Sequence, residues 1–334
     1  MRIAVDAMGG DAGPEVVVPG AVQGARASNT ELLLVGKSAN IDPLVSTIDH
    51  AQVKIQIVDA PDVVEMGEHP VQATRKKRHS SIAVALGEVK AGRADAMVSA
   101  GNSGAVMTSA LMVLGRIPGV RRPAIAGFLP GSAGASLVLD LGALTDPRPS
   151  HMVQFAGMGS IYVERALGKI NPTVALLSNG EEPSKGNHLV QEVFSLLQNN
   201  PGINFVGNIE GKDMLKGNID VIVTDGFTGN VALKVAEGTA SLLTAVLREE
   251  LTKSFARKLA AAVLKPAFDA LRLKLDYARI GAAPLLGVDG VVLIAHGRSS
   301  ELAIASAVAR AVEIAETDMV DAIRASFATS RTTA

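Results

Sequence analysis

Asparagine, serine, lysine and histidine recur in this chain inside short glycine-containing turns. That combination suits holding an anion. In Ser99-Ala-Gly-Asn-Ser-Gly104, Asn102 and Ser103 offer side-chain hydrogen bonds at an expected helix start, while Gly101 and Gly104 let the backbone approach a ligand closely. Asp225-Gly-Phe-Thr-Gly-Asn230 repeats the design, which makes Asp225, Gly226, Thr228 and Gly229 candidate phosphate contacts and Asn230 a candidate catalytic residue. Asp6-Ala-Met-Gly-Gly-Asp11 adds Gly9 and Gly10. Lys185, in Ser184-Lys-Gly-Asn187, stands beside an expected helix N-terminus. A cation there opposes the helix dipole unless an anion lies between them, so Lys185 is the strongest candidate for a functional cation. His79 and His296 are candidate proton donors or anion ligands. Every one of these residues also has a plain structural use, since Asn and Ser cap helices and loop lysines are usually solvated.

Other chemistries find less support. Cysteine is absent, which removes disulfides, a thiol nucleophile and thiolate metal ligands. Ser103 does not sit in the Gly-x-Ser-x-Gly turn that exposes a nucleophilic serine. No Gly-x-Gly-x-x-Gly follows the first strand, so a nicotinamide dehydrogenase is disfavoured. Asp6, Asp11, Asp140 and Asp225 fall at strand ends, where they could orient basic side chains or cap helices, but their spacing gives no metal signature. No metal or cofactor is therefore expected. The net charge is −1, so nothing draws the whole chain to nucleic acid. The run Arg75, Lys76, Lys77, Arg78 is either a solvated stretch or a local contact for an acidic partner.

These turns need elements to position them. Hydrophobic residues make up 48% of the 334 and aromatics 3%, with 33 glycines, so the core must be Val, Ile, Leu and Ala. Short apolar runs at 2–6, 32–35, 55–58, 94–98, 125–129, 136–139, 173–177, 203–206, 221–223 and 291–294 read as strands. Helical patterns cover about 14–26, 80–91, 103–114, 149–167, 187–199, 228–264 and 299–325. The alternation predicts an α/β fold: one domain over 1–328, a doubly wound, largely parallel sheet. In such a sheet the turns would all emerge at the carboxyl edge, where helix N-termini bind anions. Residues 236–277 depart from the pattern. Leucines recur every fourth residue to Val263, then Pro266 interrupts. This predicts a projecting helical hairpin with an apolar tip at Leu259, Val263, Leu264 and Phe268, for a second copy of the chain or a membrane surface. The N-terminus runs straight into a strand with no leader, and no apolar run is long enough to span a bilayer.

Taken in order, these segments resemble the bacterial phosphate acyltransferase family of phospholipid synthesis (PlsX), over almost the whole chain. Asp6-Ala-Met-Gly-Gly-Asp11, Val98-Ser-Ala-Gly-Asn-Ser-Gly-Ala105, Gln154-Phe-Ala-Gly-Met-Gly-Ser160 and Lys185-Gly-Asn187 match. So do Asp225-Gly-Phe-Thr-Gly-Asn-Val231, Pro284-Leu-Leu-Gly287 and Ile294-Ala-His-Gly297. Ala12 and Leu144 stand where the family often has His and Asn, Ser178 and Asn179 replace a common Asn-Ile, and Ser103 replaces a common Thr. Ala12 and Leu144 are assigned no side-chain role. The resemblance implies a fold similar to phosphotransacetylases and isocitrate dehydrogenases, and a cytoplasmic homodimer associated peripherally with the inner face of the membrane. It implies transfer of a long-chain acyl group from acyl-acyl carrier protein to inorganic phosphate, and a downstream glycerol-3-phosphate acyltransferase as possible partner.

Phosphate is already an anionic nucleophile near neutral pH, and a thiolate with a reference pKa of about 8.5 leaves readily. The tasks left to the protein are positioning and oxyanion stabilisation, which suit Asn102, Ser103, Asn230 and Lys185, with His79 or His296 helping at phosphate or sulfur. Two rivals stand beside this reading. One is a short-chain phosphotransacetylase using acyl-coenzyme A. The other is a catalytically weak membrane-associated scaffold.

Overall fold

A computed structural model of the chain describes residues 1–275 and 282–328. The chain runs β1 (Arg2–Asp6), α1 (Pro14–Ser28), β2 (Glu31–Gly36), α2 (Ser38–Thr47), β3 (Ile55–Asp59), α3 (Pro70–Lys76) and α4 (Ser81–Lys90). It continues with β4 (Ala96–Ser99), α5 (Ser103–Val113), β5 (Ala124–Pro130), β6 (Ala135–Leu139), α6 (Pro149–Leu167), β7 (Thr173–Ser178) and α7 (His188–Gln198). Then follow β8 (Asn204–Glu210), β9 (Val221–Val223), α8 (Gly226–Thr252), α9 (Phe255–Leu275), β10 (Ala283–Leu286), β11 (Val291–Ile294), α10 (Glu301–Ala315) and α11 (Met319–Ala328).

The strands line up as β3-β2-β1-β4-β11-β10-β5-β6-β9-β7-β8. The expected α/β class holds, and both faces carry helices. Ile3, Val5, Leu32 and Leu34 pack with α1 and α10, while the alternate residues Ala4, Leu33 and Val35 pack with α4 and α5. This is the two-residue period of a strand covered on both sides.

The expected single carboxyl edge does not survive. From β3 to β11 the strands are parallel, and β6, β9, β7 and β8 are parallel to one another. Between these blocks β10 pairs antiparallel with β11 and β5, and β5 pairs antiparallel with β6, so the two blocks run in opposite directions. Register brings their carboxyl ends together all the same. At one end Ile294 pairs with Ala283 and Ile125 with Leu285; at the other, Leu139 pairs with Ala126. The blocks are thus displaced along β5, and their carboxyl ends face each other near Ile125–Gly127. The splice is β10, an element the sequence pattern missed because of Pro284. It pairs with β11 through Ala283 and Pro284 and with β5 through Leu285 and Leu286, so Pro284 is never required to bond on both sides.

Two consecutive long helices cover most of the expected hairpin, but the break between them falls elsewhere. Pro266 lies inside α9, and α8 gives way to α9 at Lys253–Ser254. A proline removes one helix hydrogen bond, whereas Ser254 supplies a start, its Oγ accepting the Arg257 N–H at 3.3 Å. Leu259, Val263, Leu264 and Phe268 therefore lie along α9. Phe255, 81% exposed, occupies the turn. Residues 276 and 277 of the expected hairpin lie outside the described residues. Among the described residues no helix is long and apolar enough to cross a membrane.

Candidate active site

Between the facing carboxyl ends lies a cavity of about 600 Å³. Three helix N-termini open onto it: Ser103 begins α5, Gly226 and Phe227 begin α8, and Ser300 precedes α10. Each presents first-turn N–H groups and the positive end of its dipole to the same space. Apolar residues form another part of the wall, among them Ile125, Leu141, Leu233 and Ile294.

Two buried aspartates shape the loops that bring these termini together. Asp6 takes hydrogen bonds from Ser99 Oγ at 2.6 Å and from the Met8 N–H at 3.2 Å. Burial pushes its carboxyl up, opposed by hydrogen bonds from Ser81, Ser99, Met8 and Gly9. Asp140 takes the N–H groups of Ile125, Gly142, Ala143 and Leu144 at 2.6–3.1 Å. Burial pushes Asp140 up as well, and those four donors pull it back. Leu144 acts through its backbone, donating to Asp140 and accepting the Gly226 N–H at 2.9 Å. A main-chain role of this kind does not depend on which side chain stands at position 144.

The glycines mostly serve contact between loops. A Cβ on Gly9 would lie 2.6 Å from Gly101 N, and one on Gly229 would lie 2.0 Å from the Asp140 carbonyl oxygen. Gly10 has φ +89°, and the next residue, Asp11, donates its N–H to the Gly297 carbonyl at 2.8 Å. Gly104 is pressed against Pro70, where a Cβ would approach to 2.6 Å. Only Gly226 of this candidate set lines the cavity.

Among the candidate polar residues, Ser103, Asn230 and His296 meet in the cavity. Asn230 is exposed there, beside Gly142. Asn102 does not line it. Its Oδ1 caps α5 through the Ala105 N–H at 3.1 Å, and its Nδ2 donates to the carbonyls of Met66 and Glu68. These hydrogen bonds tie the 66–68 loop to the start of α5. Asp225 caps α8 by accepting the Thr228 N–H at 2.8 Å. Lys185 is exposed on the loop after β7, at the carboxyl edge of its block but outside the cavity lining. His79 is exposed and also lies outside it. In the basic run, Lys77 pairs with Glu68 at 2.5 Å and donates to the Val63 carbonyl; Arg75, Lys76 and Arg78 are exposed.

The structure adds Lys234, Glu237 and Arg298 to the cavity. Lys234 lies one helical turn beyond Asn230, the spacing that the sequence itself displays. Its Nζ pairs with Glu237 at 2.8 Å and stands 3.5 Å from His296 Nε2. The Arg298 N–H donates to His296 Nδ1 at 3.1 Å, so the neutral ring carries its proton on Nε2. Two donors then face one another. An oxyanion accepting from both would resolve that conflict.

The family described as fatty acid synthesis protein matches residues 1–322. A phosphate acyltransferase of Dictyoglomus turgidum is 48% identical over 317 residues, covering 95% of this chain and 93% of that protein. One from Bacillus pumilus is 47% identical over 321 residues, covering 96% and 95%. Among solved structures, a phosphotransacetylase from Streptococcus pyogenes superposes with a TM-score of 0.63 at 18% identity, over 95% of this chain and 94% of that one. A 4-hydroxythreonine-4-phosphate dehydrogenase from Klebsiella pneumoniae gives 0.56 at 12% identity, over 94% and 99%. At such identities the likeness is one of fold.

Proposed function

This chain belongs to the fatty acid synthesis protein family, whose matched relatives are named phosphate acyltransferase, and from that premise we propose that it moves a long-chain acyl group from acyl-acyl carrier protein to inorganic phosphate. Acyl transfer to phosphate follows from the family; the carrier and the chain length are the proposal. The observation that carries it is the composition of one cavity, which joins cationic side chains and three helix N-termini to an apolar wall. Phosphate takes the polar side, bridging Lys234 Nζ and His296 Nε2, with Asn230 and Ser103 beside it. The acyl chain takes the apolar side.

A phosphate oxygen attacks the thioester carbon and a C–O bond forms. The carbonyl oxygen becomes an oxyanion that first-turn N–H groups can receive. The C–S bond then breaks and sulfur leaves with the electron pair; the proton it takes up is the one the attacking hydrogen phosphate gives up, while His296 Nε2–H holds the phosphate by a hydrogen bond. Lys185 acts at the rim on the donor, and Arg75, Lys76 and Arg78 draw in the acidic carrier. The exposed apolar faces of α8 and α9, with Leu243 at 64% and Val263 at 78% exposure, are what pairing into a homodimer and contact with the cytoplasmic face of the membrane would cover. A downstream acyltransferase using glycerol 3-phosphate would consume the acyl phosphate.

The test incubates purified protein with palmitoyl-carrier protein and phosphate and traps the product with hydroxylamine. Phosphate-dependent palmitoyl hydroxamate is expected. Product from acetyl-coenzyme A alone would replace this reading with a short-chain one, and no product with either donor would favour a scaffold. Rapid-quench labelling that left a stable acyl-enzyme would defeat direct displacement.

A further inference from the structure

A second concave site lies away from the catalytic cavity. It is a cleft of about 960 Å³ between the C-terminal end of α5 and the N-terminal end of α6, walled by Arg116, Arg121, Arg122, Arg148 and His151. The catalytic cavity contains Ser103, at the other end of α5, and Ala283, at the other end of β10. An eleven-residue helix such as α5 is about 16 Å long, so the two sites are separate.

The charge in this cleft is gathered without being neutralised. Arg121 is held by the Ser150 hydroxyl at 2.8 Å, and Arg116 by the Arg121 carbonyl. Both acceptors are neutral, so the guanidinium groups are oriented and keep their full charge. Among the described residues none of the four arginines forms an ion pair with a carboxylate. Arg148 is moreover the N-cap of α6, at the positive end of that helix dipole, where cations are unfavourable. His151 reports the same field. Its Nδ1 accepts the Arg148 N–H at 3.1 Å, and burial, with Arg122, Arg148 and Arg121 around it, holds its pKa below the ordinary imidazole value. Four like charges line one cleft, one of them on a helix N-terminus, and an anion among them would relieve their repulsion.

The geometry points to this arginine cleft as a binding site for a small molecule carrying two or more phosphate groups, such as a nucleoside diphosphate. Guanidinium forks match phosphate oxygens bidentately, and one orthophosphate supplies too little charge for four of them. The volume suits a ligand of nucleotide size. The cleft is open and its four arginines are exposed, so a small phosphorylated ligand can enter and meet several guanidinium groups at once.

Titration calorimetry with inorganic pyrophosphate, adenosine 5′-diphosphate and orthophosphate tests this. Pyrophosphate and the diphosphate should bind saturably, orthophosphate more weakly at this site, and the Kd should rise with salt. Arg122→Ala should weaken pyrophosphate about tenfold, the scale of one charge-assisted contact. Lys234→Ala, in the catalytic cavity, should leave it unchanged. Bound pyrophosphate should also raise the His151 pKa by NMR, a readout independent of turnover, so failure here is separable from failure of the proposed reaction. Arg122→Lys, with circular dichroism, checks that a loss is not misfolding. Absence of saturable binding, binding unchanged in Arg122→Ala, equal affinity for orthophosphate, or a carrier protein that displaces pyrophosphate would each overturn the assignment.

Discussion

At the scale of single residues, Lys234 and Lys185 separate two jobs. Lys234 faces His296 inside the cavity, so Lys234→Ala should raise the KM for phosphate and lower kcat/KM about 100-fold, the cost of a lost oxyanion contact. Lys185 is exposed and outside the cavity lining, so Lys185→Ala should raise the KM for the acyl donor and leave kcat within a few-fold. Steady-state kinetics with each substrate varied decides between them. Asn102→Ala removes a helix cap and the tether of the 66–68 loop. It should cost about 1–2 kcal/mol, read as a lower Tm. His151 has a depressed folded pKa, so its contribution to stability is present above the ordinary value of 6.5 and is lost as pH falls from there through the folded value. Denaturant titrations across that window should show a smaller loss in His151→Asn than in the parent.

At the scale of elements, the hairpin of α8 and α9 carries the argument. Leu243 and Leu247 are exposed on α8, and Leu259 and Val263 on α9. Leu259→Glu with Val263→Glu should abolish sedimentation with anionic vesicles while turnover with soluble donor persists. Leu243→Glu should shift the oligomeric state by light scattering. Unchanged vesicle binding would remove α9 from the membrane role. Most elements were legible from apolar periodicity: α6 and β9 fall where the pattern put them, and the α8 start coincides with its capping aspartate. The misses have physical causes. Pro284 disguised β10. Pro266 drew attention from the real turn at Ser254. An unbroken apolar period joined α10 to α11, although the chain breaks between them.

At the scale of the whole molecule, the cavity between the facing carboxyl ends belongs to both blocks of the sheet. Phosphate bound there should therefore stabilise the chain as a unit. At one hundred times Kd the gain is about 2.7 kcal/mol, visible as a Tm that climbs with phosphate in the parent and less in Lys234→Ala. By itself the sequence determined the fold class and the family resemblance, and it singled out Ser103, Asn230 and His296, which line one cavity. Helix starts and strand periods are local properties, written in neighbouring residues. Tertiary structure decided which candidates meet. The two blocks run in opposite senses, and only the displacement along β5 sets their carboxyl ends face to face. That register depends on pairings between strands far apart in the chain, which no local pattern encodes. It placed Lys234 against His296, left Lys185 outside the cavity lining, and gathered four arginines from two segments around one cleft.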